Sequence, residues 1–347
     1  MTTSVSNRSM SEATRLAIAQ QTRALNELKS EQTTGRKADT GLSLGNDTGE
    51  AVSLRQVAKE LDARKTTNAV VTTRLGVVQA SLKTALDTAA SLRSDLIALR
   101  DGRSMAALGP KAQSSLAELA TSLNQSFDGQ YLFGGINTGE APFSSYKGTG
   151  TTPESAVLAA FTTAFPGGPG GTAARSATAA AMTAFLDGPH AALFDDPAWA
   201  NTWSRASDTA PTARIADGLV VPTSMSANDQ AFRDLAEGYA MIASFDVTTL
   251  SKEAATVLID KALQKVDAGM ERLTQRMGDL GRAEQQLKRV ETELTLRDQI
   301  TERRLADLEG VDPYETAAKL SATQTQLEAA YQITARLKNL SLLSFLR

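Results

Sequence analysis

From Leu54 onward, apolar side chains return at alternating steps of three and four residues: Val57, Leu61, Val71, Leu75, Val78, Leu82, Ala85, Ala89, Leu92, Leu96 and Leu99, with Arg64 and Asn68 as the polar members of the series. A 3.5-residue repeat sustained over roughly six heptads lays one stripe along a helix of roughly 70 Å. Such a stripe needs a partner of comparable length. The chain supplies one, in Leu263, Val266, Met270, Leu273, Met277, Leu280, Leu287 and Leu294, with Glu284 and Glu291 interrupting the series. A shorter stripe, Ala112, Leu116, Leu119 and Leu123, offers a third helix. These patterns predict a mainly α fold, a long antiparallel helical bundle or coiled coil made from both ends of the chain. The polar seam positions Arg64 and Asn68 either fix its register or mark a gap that faces solvent or the intervening segment.

Between the two long stripes the chain obeys other rules. No aromatic residue precedes position 127, yet twelve of the seventeen fall in 127–232. The same segment holds eight of the ten prolines and half of the 24 glycines. The flanks carry only Pro110 and Pro313, so helices there can run unbroken. Residues 127–232 are therefore expected to form a smaller inserted domain, mixed α/β or β-rich. Residues 46–126 with 233–310 are expected to form the long bundle, and 1–45 with 311–347 the terminal helices.

Both termini are amphipathic. Ile18, Leu25 and Leu28 mark a narrow stripe between Met10 and Gln32, and a longer one runs through Leu320, Leu327, Ile333, Leu337, Leu340 and Leu343 to Phe345. Asp312-Pro313-Tyr314-Glu315 reads as a helix start, with an acidic cap, proline in the first turn and glutamate three residues on. Short helices are marginal in water without packing, so these ends are expected to need partners: each other, the bundle or neighbouring subunits. Head-to-tail contacts would build a ring or a helical array.

Few chemistries survive the composition. Cysteine is absent and His190 is the single histidine, which removes thiol chemistry and multi-histidine metal sites. A net charge of -3, from 36 basic and 39 acidic residues, gives no field for nucleic acid. No run of about 18 apolar residues occurs, so no membrane insertion is expected. The polar start, Met1 to Arg8, lacks the apolar run of a cleaved signal peptide.

The remaining motifs have structural readings. The glycine-rich stretch from Gly35 to Gly49 lacks Gly-Lys-Ser/Thr and reads as a linker, and Gly167 to Gly171 as a flexible loop. His190, behind Gly188-Pro189, has no adjacent nucleophile motif and is expected to be a surface or half-buried structural residue. Asp195-Asp196 lacks a spaced calcium loop and suits a turn or cap. Trp199 and Trp203, four apart, are expected to pack within the insert rather than against carbohydrate. Arg303-Arg304 reads as a solvated face. No catalytic, cofactor-binding or metal-ligating residue is assigned, no cofactor is implied, and no enzymatic activity is expected.

Specific strings carry a resemblance. Leu28-Lys29-Ser30-Glu31-Gln32-Thr33-Thr34-Gly35-Arg36-Lys37 and Leu337-Lys338-Asn339-Leu340-Ser341-Leu342-Leu343-Ser344-Phe345-Leu346 resemble the two ends of the flagellin superfamily of bacterial flagella. Phe127-Asp128-Gly129-Gln130-Tyr131-Leu132-Phe133-Gly134-Gly135, with Ala141-Pro142-Phe143 following, resembles the Gly-x-Tyr-(Ile/Leu)-Phe-(Ala/Gly)-Gly segment of the hook-associated proteins that join hook to filament. Ala227-Asn228-Asp229-Gln230-Ala231-Phe232-Arg233-Asp234-Leu235 is similar to their return from the insert into the last long helix. The turn after Gly35 departs from the superfamily's Asn-Ser-Ala-x-Asp-Asp run.

The resemblance implies a flagellin-like fold and a structural subunit exported unfolded by the flagellar type III apparatus. It implies terminal helices that pair in the assembled wall and are loose in the monomer. It also implies partners: further copies of the chain, the other hook-associated junction protein, the flagellin of the filament and an export chaperone. The place would be the extracellular hook-filament junction. A flagellin filament subunit is the close alternative, and a cytosolic coiled-coil adaptor a more distant one.

Overall fold

The structure, a computed structural model, describes residues 2–100 and 107–345, with the side chains of 12–98 and 107–336. Leu99, Leu337, Leu340, Leu343 and Phe345 lie outside the described side chains. Contacts gather the chain into two compact units, residues 64–292 and residues 1–63 with 293–347. The fold is mainly helical. Its elements are α1 (Thr2–Thr34), α2 (Thr40–Leu44), α3 (Thr48–Arg100), α4 (Leu108–Leu123), β1 (Ser126–Phe127), β2 (Gln130–Tyr131), α5 (Pro153–Ala164), α6 (Thr172–Arg175), α7 (Ala179–Phe185), α8 (Ala198–Thr202), β3 (Thr212–Ala216), β4 (Leu219–Pro222), α9 (Gln230–Ser244), α10 (Lys252–Glu309) and α11 (Pro313–Phe345).

Within residues 64–292, α3 and α10 run antiparallel. Thr72 Oγ1 donates to Glu291 Oε1 at 3.1 Å, Gln79 Nε2 donates to the Met277 carbonyl at 3.0 Å, and Arg93 pairs with Asp267. The predicted seam is buried where it meets these partners: Leu75, Val78, Leu82, Ala89, Leu92 and Leu96 are all 0% exposed. Ala112, Leu116, Leu119 and Leu123 of α4 are buried as well, and α4 packs on α9.

The stripes differ from the expected ones in two places. Near the start of α3, Val57 is 40% exposed while the adjacent Ala58 is half-buried, so the seam passes through the smaller residue. On α10, Leu263, Met270 and Met277 are only half-buried, and the buried face includes Leu258, Ala262, Val266, Gly269 and Leu273. The reason is a second helix contact: a Cβ on Gly269 would lie 2.7 Å from the Leu235 side chain and 3.0 Å from the Ala231 carbonyl oxygen. Glycine lets α9 approach α10 this closely.

The insert is mixed α/β. Helices α5 to α8 surround aromatic side chains, and β3 and β4 form a hairpin pairing Thr212 with Pro222 and Arg214 with Val220. Asn68 and Arg64 meet this hairpin. Asn68, 1% exposed, donates to the Ile215 carbonyl at 3.1 Å, and Arg64 pairs with Asp217 at 3.0 Å. Of the readings open for these two residues, the gap facing the insert is the one that occurs.

Within residues 1–63 and 293–347, α1 lies against α11, and Arg304 pairs with Glu50 at 2.7 Å. A small core forms from Leu44, Ala51 and Leu305, with Leu54 and Leu308 packed on it. The glycine-rich linker thus contains one short helix, α2, capped by Asp39 accepting from Leu42 N.

Candidate functional site

At the neck of the insert, three passes of chain knit together. The hairpin β1–β2 turns at Asp128 and Gly129, both with positive φ (52° and 73°), as a tight two-residue hairpin requires. The chain beyond it is clamped by backbone hydrogen bonds: Ser207 N donates to the Gly134 carbonyl at 3.0 Å, and Ala227 N to the Phe133 carbonyl at 2.8 Å. Ser224 Oγ donates to the Leu132 carbonyl. Gly135 has φ +64°, and a Cβ there would stand 2.4 Å from the Ser207 carbonyl oxygen. Asn124 closes the neck by accepting from Phe143 N at 3.0 Å and donating to its carbonyl at 2.9 Å. The signature string thus joins the outgoing and returning strands of the insert.

The return string is equally committed. Asn228 accepts from Trp199 Nε1 at 2.9 Å and donates to the Ala206 carbonyl. Asp229 caps α9 and pairs with Arg276 at 2.8 Å. Arg233, largely buried, lies over the Trp199 ring at 5.1 Å, pairs with Asp196 at 2.9 Å and donates to the Phe194 carbonyl. Asp234 meets Arg272 at 2.9 Å, and Glu237 meets Lys265 at 2.7 Å. Burial raises the Glu237 carboxyl to about 7 against the pull of Lys265. No role was assigned to Arg233, Asp234, Glu237 or Lys265 from the sequence. The available signal was a helix with charges on the face that its neighbours bury.

Asp195 and Asp196 do form a turn, with the Asp195 carbonyl accepting from Trp199 N. Trp199 and Trp203 are stacked 5.7 Å apart and fully buried, as core residues. His190 is neither on the surface nor half-buried: it is 0% exposed, enclosed by Phe185, Phe194 and Phe245. Phe185 and Phe194 flank the histidine in sequence, but the ring that closes the site, Phe245, comes from beyond the insert, so local sequence alone could not reveal the burial. In a cavity of about 630 Å³ beside Arg233 and Arg276, Asp196 and Asp229 are engaged by these arginines and Asp208 accepts from Asn228. Among the described residues no group of His, Asp or Glu could hold a metal ion.

The second candidate is a joint beside the terminal helices. Lys37 N donates to the Glu309 carbonyl at 2.8 Å, Val311 N donates to the Gly35 carbonyl at 3.1 Å, and Lys37 Nζ reaches the Leu308 carbonyl. The Glu309 side chain, 0% exposed, is in ion-pair contact with Arg55 at 2.8 Å and Arg36 at 3.7 Å. Asp312 caps α11 as expected, accepting from Tyr314 N at 2.8 Å. Beyond the joint, Ile18, Leu25 and Leu28 of α1 and Leu320 and Leu327 of α11 are half-buried. Ile333 departs from the expected stripe: it is exposed, and the neighbouring Thr334 is half-buried instead. Leu16, Tyr314, Tyr331 and Ile333 present apolar surface to solvent.

The profile of the bacterial flagellin N-terminal helical region matches residues 5–138, and that of the bacterial flagellin C-terminal helical region matches residues 263–346. The chain belongs to the flagellin superfamily. As a member it is a structural, non-enzymatic flagellar subunit. This flagellin-family chain shares its fold with a protein from Vibrio parahaemolyticus described as a flagellar hook-associated protein (12% identity, TM-score 0.52, covering 76% of this chain and 97% of that one). It does so too with FlgL of Bacillus cereus (10% identity, TM-score 0.50, 73% and 98%). Among curated proteins no sequence match was found. Membership in the family removes the cytosolic adaptor reading. Among the described residues no helix is long and apolar enough to cross a membrane.

Proposed function

We propose that this flagellin-family subunit joins the flagellar hook to the filament, as a hook-associated junction protein outside the cell. The observation that carries the reading is the neck: the string from Tyr131 to Phe143 has the residues of the junction-type segment, and each part of it has a structural duty. Gly135 occupies a positive-φ site hemmed by carbonyl oxygens, Phe133 packs edge-on against Phe232 at 6.0 Å, and Phe143 is held by Asn124. The fold likeness to FlgL supports the same direction.

In this proposal the terminal helices, 1–45 with 311–347, form the assembly core. Residues 46–126 with 233–310 form the bundle, and 127–232 the outer domain. The partners are further copies of the chain in a ring or helical array, the other hook-associated protein, filament flagellin and an export chaperone. Immunogold electron microscopy of intact cells, with antibody against residues 145–220, tests it. One cluster of label at the distal end of the hook is expected. Label along the filament would favour the flagellin reading, to which the two flagellin profiles lend weight, and label confined to the cytoplasm would overturn both.

A further inference from the structure

His190 occupies a node where two chain segments meet. Its ring centroid lies 5.7 Å from Phe185 at the end of α7, 5.1 Å from Phe194 and 6.4 Å from Phe245 beyond α9. The imidazole is completely buried, and neither ring nitrogen has a hydrogen-bond partner. We propose that His190 is an acid-sensitive latch of the insert, whose protonation forces the Leu186–His190 turn out of the aromatic core.

The physical case is one of unmet donors. A protonated imidazole carries a charge and two N–H groups, and a site walled by phenyl rings and closed to solvent offers neither nitrogen an acceptor. The charged groups facing this region do not relieve it. From α10 comes Lys265, a cation already engaged by Glu237 and Asp234 of α9. Asp187, on the histidine's own turn, is held by Lys261 of α10 at 2.6 Å, and Asp195 lies on the Glu237 side. From α5 come Phe161 and Phe165 to the same ring cluster, while its one charged residue, Glu154, pairs with Lys147. Opening the turn to water is the remaining route to solvation.

Burial, aided by Lys265, pushes the imidazole down from 6.5 to about 3. A folded pKa below the unfolded one means that stability is full above about pH 6.5 and is lost as the pH falls from there through about 3. Glu237 works in the opposite sense, because its raised carboxyl favours the protonated, folded state on acidification. Because Glu237 responds to acid as well, only a comparison at His190 isolates the latch.

The chain carries its own reporters: one histidine, and two tryptophans, of which Trp203 lies 5.0 Å from Phe194. In histidine-labelled full-length protein, the single imidazole resonance is expected to stay in its neutral form as pH falls until tryptophan emission changes. Titration near pH 6.5 with native emission would overturn the proposal. His190→Phe is expected to move the acid transition in tryptophan emission down by about one pH unit or more. Coincident transitions in the two proteins would overturn it equally, and if the variant does not fold, the imidazole titration decides alone.

Discussion

Along the middle of α3, Leu75, Leu82, Leu92 and Leu96 are closed off from solvent completely, whereas among the described side chains of α1 and α11 no apolar residue is better than half-buried. Both are paired helices with apolar stripes. In the first, the packing is completed within one chain, with α10 alongside; in the second, Leu16 is left 65% exposed, Tyr331 54% and Ile333 55%. The contrast separates what a single copy finishes from what it leaves for assembly. Exposed apolar surface of this kind on an ordered helix pair is a demand for a neighbour.

The largest break in this comparison is expected at Leu82. Replacing it with aspartate puts an unpaired charge where no water reaches, at a cost of about 3–5 kcal/mol. Urea unfolding followed by circular dichroism would register it as a large fall in midpoint. An unchanged midpoint would mean that the α3 seam is not a core. Next in size is Gly135→Ala, at about 2–4 kcal/mol, because a Cβ at positive φ meets the carbonyl oxygens of Ser207 at 2.4 Å and Thr209 at 2.8 Å. Tryptophan emission, reporting on the insert, should lose its native position at lower urea. Equal stability to the natural protein would show that the neck is not clamped.

What could be read beforehand follows the same divide. The seams of α3 and α4 were legible because large apolar residues recur at helical spacing and meet long partners. Ala58, Ala262 and Gly269 were not, since small residues signal a close helix approach only once the opposing helix is known. The neck was legible as a string, but its duties were not: Gly134 and Phe133 bond to residues 207 and 227, which are distant in sequence. The burial of His190 is hidden in the sequence for that reason too, its enclosure depending on Phe245 beyond the insert. The Glu309 joint had no sequence signal, because one glutamate in a mixed-charge helix looks solvated until Arg55 and Arg36 are brought to it.

That joint gives a smaller effect. Glu309→Gln removes a buried carboxylate while leaving Arg55 and Arg36 partly in water, so the loss is about 1–2 kcal/mol. Its signature is local: amide hydrogen exchange at Lys37 and Val311, which bridge the joint by backbone hydrogen bonds, should accelerate while the α3 core stays protected. Unchanged exchange at both amides would mean that the backbone bridges alone hold the joint.

The smallest expected effect on stability is the most telling about assembly. Leu16→Asp with Ile333→Asp alters two side chains that already face water, so the free energy of unfolding should change by less than about 0.5 kcal/mol. Assembly should respond in the opposite proportion. A neighbouring chain that covers this face must desolvate both carboxylates, and the double variant should therefore fail to incorporate into flagella while its urea midpoint matches the natural protein. Quantitative incorporation, measured on sheared and washed flagella, would move the assembly surface away from this face of α1 and α11. A large fall in midpoint would instead mean that Leu16 and Ile333 belong to a core inside one chain, and the contrast between the two helix pairs would disappear.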